Sequence, residues 1–125
     1  KMGESVMIKE ESEEKWLALT RQINELEWLE EDLLSMKRQH EQAVSELQAD
    51  CRHLSFALES LLNHMSEDYA GKYAEQEAND HLIRQIDRYV DEHLDHVSTY
   101  TMGVRRRLER DKEELIGERS RLRWE

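Results

Sequence analysis

In a chain of 125 residues with 38% hydrophobic and 38% charged positions, too little apolar surface is present to close a thick globular core. Proline is absent and glycine occurs four times, and the wealth of Leu, Glu, Arg, Ala and Gln is that of long helices with charged outer faces, so no strand is expected. A formal net charge of −11 argues against nucleic acid as a partner. No apolar run approaches the roughly 20 residues that span a bilayer, so membrane insertion is not expected. The lone Cys51 excludes an intramolecular disulfide.

Residues 1–13 lack helical periodicity and read as a flexible lead-in. Lys1-Met2-Gly3 carries no secretory signal, which together with the single cysteine points to an intracellular setting, cytoplasmic or nuclear. Both chain ends read as cuts in something longer. Within the lead-in, Val6-Met7-Ile8-Lys9-Glu10-Glu11 resembles the short apolar-Lys-x-Glu pattern modified by small ubiquitin-like proteins.

Residues 14–66 form the first coiled-coil helix. With Trp16 at heptad position a, the a row continues through Ile23, Glu30, Lys37, Val44, Cys51, Leu58 and Met65. The d row runs Leu19, Leu26, Leu33, His40, Leu47, Leu54 and Leu61, so six of seven d positions are Leu. A stripe repeating every 3.5 residues has to lie against another helix. Polar Glu30, Lys37 and His40 interrupt it, and there the apolar residues move sideways to Leu29, Leu34 and Met36.

Residues 67–72 form the turn, with Gly71 as the helix-ending glycine. A second helix over 73–125 carries Leu82, Ile86, Val90, His93, Val97, Tyr100, Val104, Leu108, Leu115 and Leu122. The mixed spacing of these residues predicts weak supercoiling. Folding this helix back with a midpoint at residues 70 and 71 sets Leu19 against Leu122, Leu26 against Leu115, Leu33 against Leu108, Val44 against Val97, Cys51 against Val90 and Leu58 against Ile83. Charge supports the same fold: residues 1–32 hold ten acids against four bases, and residues 103–125 hold eight bases against six acids. One layer opposes it, since Glu30 would face Asp111.

The fold class is therefore all-α, a long antiparallel hairpin, with a continuous parallel two-stranded coiled coil as the alternative. Leu17, Leu29, Leu34, Met36, Phe56, Leu62, Tyr89, Leu94 and Ile116 lie off the seam. Two hairpins packed as a dimeric four-helix assembly would cover them. Substituting Leu47 and Leu54 with Glu is accordingly expected to unfold the chain, and the same change at Leu29 and Leu34 to reduce only its mass.

Chemistry finds little support. Asp91-Glu92-His93-Leu94-Asp95-His96 places two His among three acids, but the paired Glu-x-x-His pattern of di-metal bundles is missing, so His40 and His93 read as hydrogen-bonded core residues. Cys51 has no base and orienter in view, and the isolated glycines form no phosphate loop, so neither an enzyme nor a cofactor is expected. Arg105, Arg106 and Arg107 could grip a polyanion, although acids interleave with the basic run that follows. Trp16 and Trp124 read as a pair closing the open end, and Trp28 as an outward contact. The functional expectation is a non-enzymatic coiled-coil dimerisation or scaffold module of a larger intracellular protein, for instance in a cytoskeletal or centrosomal assembly. Its partners would be a second copy or other helical proteins. The alternative is a regulatory module docking a helix or an acidic surface.

Overall fold

The computed structural model describes residues 2–65 and 70–122, without the side chains of Met2, Glu4 and Ser5. Among them, two helices, α1 (Met2–Asn63) and α2 (Lys72–Ser120), pack against each other as a hairpin and no strand occurs. The continuous parallel rod is thereby set aside.

Helix α1 starts at Met2, so residues 2–13 are helical rather than a structureless lead-in. Periodicity reports a buried face, not helicity. Met, Glu, Lys and Ile in this stretch sustain a helix by propensity without an apolar repeat. At its other end α1 tightens before stopping: the His64 N–H is shared between the Ser60 and Leu61 carbonyls, at 3.3 and 3.2 Å, and the Met65 N–H donates to the Leu62 carbonyl at 3.2 Å. Lys72 Nζ returns from α2 to the Met65 carbonyl at 3.3 Å, placing a cation where the α1 carbonyls are left over. Gly71 does not end α1 in a left-handed cap, because no described glycine has positive φ. Its carbonyl accepts the Glu75 N–H at 2.9 Å and so opens α2. The rest of the expected turn, residues 66–69, and Trp124 of the expected Trp16 pair lie outside the described residues.

The hairpin divides into two compact units, residues 1–36 with 100–125 and residues 37–99. In the first unit the a and d rows meet α2 as the heptad predicts. Ile23 is buried, and Trp16, Leu19, Leu26 and Leu33 are half-buried, as are Val104, Leu108, Leu115 and Leu122. The troublesome Glu30 layer is resolved by register. Arg105 Nε stands 2.8 Å from Glu30 Oε1, six residues ahead of the Asp111 expected there. Arg119 places its guanidinium over the Trp16 ring at 5.4 Å and donates from Nη1 to Thr20 Oγ1 at 3.1 Å. Leu34, expected on an outer face, is half-buried.

In the second unit α1 turns a different stripe toward α2. Val44, Gln48, Cys51, Ser55 and Leu62 point inward, the a and e positions of the heptad. Lys72, Asn79, Ile83, Ile86, Val90 and Val97 meet them from α2. Leu62, assigned by periodicity to the outer face, is the most buried large side chain, at 1% exposure. The d-row leucines Leu47, Leu54 and Leu61 stand between 57% and 69% exposed, with Leu58 at 41%, instead of lying between the chain's own helices. Helical phase accounts for this. An α-helix that is not supercoiled drifts by about 20° per heptad, which carries the inward face from d toward e after a few repeats.

Leu62→Ala should therefore lower unfolding free energy by about 2–5 kcal/mol. Phe56→Ala, at a position exposed on the other side of α1, should change it by less than about 0.5 kcal/mol. Urea denaturation followed by circular dichroism at fixed protein concentration reads both.

Candidate protein-docking surface

The second unit joins its helices through polar layers as much as apolar ones. Ser55 Oγ donates to Asn79 Oδ1 at 2.9 Å while Asn79 Nδ2 donates to the Ser55 carbonyl at 3.0 Å, so the buried amide is held at both ends. Gln48 Nε2 donates to Asp87 Oδ1 at 2.8 Å and Arg52 pairs with the same oxygen at 3.0 Å. These partners, Gln48 first and Arg52 second, hold the Asp87 carboxyl below its ordinary value. His40 and His93 meet across the helices at 2.6 Å between their Nε2 atoms, one donating and the other accepting. They were expected in the core; His40 is exposed and His93 half-buried.

Beside these layers the d-row leucines leave a face uncovered. A groove of about 580 Å³ is lined by Val44, Leu47, Ile86, Tyr89 and Val90 with Gln48, Cys51, Gln85 and His93. A second, of about 220 Å³, is lined by Leu54, Leu58, Leu82 and Ile83 with Ser55, Asn79, Cys51 and Ile86. The two share Cys51 and Ile86, so they form one continuous surface. No Asp, Glu, Lys or Arg lines either, in a chain where 38% of residues are charged. Leu82 and Tyr89 complete this face from α2; the sequence places Leu82 in the core and Tyr89 on an outer face, and both are exposed. Their signal is legible afterwards: Asn79, Ile83, Ile86, Val90 and Val97 set the inward phase of α2, and Leu82 and Tyr89 fall one step to its side.

The first unit presents a different chemistry. Arg105, Arg106, Glu109, Arg110 and Glu113 line one groove with Met102, and Arg107 and Arg110 line another with Tyr100, Gly103 and Val104. Arg105 is engaged by Glu30, and Arg106 Nη2 lies 3.4 Å from Met102 Sδ. Lys112 pairs with Glu109 at 3.3 Å, which lowers the Glu109 carboxyl from its ordinary value and raises the Lys112 amine. Trp28, Leu29 and Met36 are exposed. Lys9 of the modification-like pattern is exposed on α1.

Among the described residues no group of three or more His, Cys, Asp or Glu side chains is arranged to hold a metal ion, and no helix is long and apolar enough to cross a membrane. No protein-family model, curated protein or solved structure matches the chain.

The Asp87 cluster carries a pH signature. A carboxyl whose folded pKa lies below its ordinary value of 3.8 contributes stability that is present above that value and lost as pH falls through the lower folded value. Asp87→Asn should thus destabilise the hairpin at pH 7 and flatten the decline of its melting temperature below about pH 4. Thermal melts of both proteins between pH 7 and 2.5 test this.

Proposed function

We propose that the chain is a non-enzymatic coiled-coil dimerisation and scaffold module of a larger intracellular protein, mediating self-association and assembly. The observation that carries this reading is the row Leu47, Leu54 and Leu61, left in solvent by the chain's own hairpin. Leucines at seven-residue spacing are the knobs of a coiled-coil interface, and an exposed apolar surface of this extent marks a contact with another protein. Trp28, Leu29 and Met36 on the first unit add a further outward patch. Modules of this kind serve cytoskeletal and centrosomal assemblies among others, and the partner is a second copy or another helical protein.

A regulatory module docking an acidic surface is the second reading. It is favoured by Arg107 and Arg110, which share a groove and have no ion pair among the described residues. Sedimentation velocity separates the two. Self-association predicts that mass rises with concentration from 15.0 kDa toward twice that value in the absence of any partner. A mass that stays at one chain, together with binding of a polyglutamate peptide that Arg107→Glu abolishes, supports the second reading.

A further inference from the structure

The uncharged face of the second unit has the composition, the repeat and the area of an interface between two copies of this chain. We infer that this face, centred on Cys51 and Ile86 and flanked by Leu47, Leu54, Leu82 and Tyr89, is the self-association surface, and that its occupant is the same face of a second copy. The inference rests on the scaffold reading and specifies where that association occurs.

Three observations select a second copy. First, the face offers both halves of a coiled-coil contact. The leucines at 47, 54, 58 and 61 supply projecting side chains on α1, and the grooves between α1 and α2 supply the recesses. A surface that carries knobs and holes together is self-complementary, as a two-fold interface requires. Second, area suffices. Leu47, Leu54, Leu58, Leu61, Leu82 and Tyr89 range from 41% to 71% exposed. At roughly 100 Å² of apolar surface for each, one face contributes about 600 Å² and two copies about 1,200 Å², which reaches the range of stable specific interfaces. Third, charge permits it. Residues 37–99 hold thirteen acids against six Lys and Arg, so two copies repel at a distance, yet none of these charges lines the grooves. Contact on this face brings no like charges into direct opposition, and added salt screens what repulsion remains. A basic partner helix would show the opposite salt dependence.

Cys51 lies at the junction of both grooves and is the single cysteine, so it reports the centre of a two-fold contact. The full chain is examined by sedimentation equilibrium at 50 and 500 mM NaCl, with circular dichroism on every variant. The expected result is a dimer that tightens at the higher salt and is joined through Cys51 by a short bismaleimide. Leu54→Glu from the α1 side and Tyr89→Glu from the α2 side should each weaken dimerisation by at least tenfold with helicity retained. Phe56→Glu should leave it intact. A dimer that survives Leu54→Glu and Tyr89→Glu but is lost in Leu29→Glu leaves the scaffold reading standing and overturns this surface. Dimerisation without Cys51 cross-linking overturns the two-fold centre. A wild-type mass of one chain at every concentration overturns both this inference and the scaffold reading. Loss of helicity in Leu54→Glu, Leu54→Gln and Tyr89→Glu alike would make the row part of the chain's own core and equally remove the inference.

Discussion

Two helices laid side by side can bury only one stripe of each, and everything else in this chain follows from which stripe is chosen. A helix has room on its circumference for a seam of about two positions in seven at a single contact. Where the seam turns to another pair of positions, an apolar row beside it must remain outside. In the first unit the a and d rows go inward together, and Ile23 is buried between the helices. In the second, phase drift admits the a and e positions, and the d-row leucines are left in water although their sequence signature is as strong as before.

Polar layers hold the helices in register where the apolar rows alone would permit sliding. Leucine rows are periodic, and a helix can shift by a turn without losing much contact. Ser55 with Asn79, Gln48 and Arg52 with Asp87, and Arg105 with Glu30 are not periodic. A shift of one turn would strand a buried amide and a carboxylate, at the cost of an unmade hydrogen bond to each. The same layers avert the repulsion that a strictly heptad-matched hairpin would impose between Glu30 and Asp111. They also divide the surface by chemistry. Charge collects on the outer sides of both helices and on the arginine grooves of the first unit, and the second unit keeps one long face free of it. That separation is what makes the face useful to a protein partner, because an apolar surface bordered by neutral Gln, Ser and Asn can be covered without desolvating an ion.

The sequence by itself determined the class of structure: absence of proline, scarcity of glycine and a leucine stripe leave helices packed on helices as the only outlet. It favoured the hairpin over the parallel rod, through complementary charge at the two ends and a break near Gly71, and it carried most of the seam of the first unit, where few heptads separate the rows from their starting phase. It misjudged residues 2–13, since a helix held by propensity without an apolar repeat leaves no periodic trace. Tertiary structure alone decided that Leu62 is core while Leu54 is surface. Both are leucines on one helix eight residues apart, and what distinguishes them is the angle at which α2 meets that helix. A heptad names the rows that can be buried; the accumulated mismatch between 3.5 and 3.6 residues per turn, together with the polar pairs that stop the helices from sliding, selects the row that is.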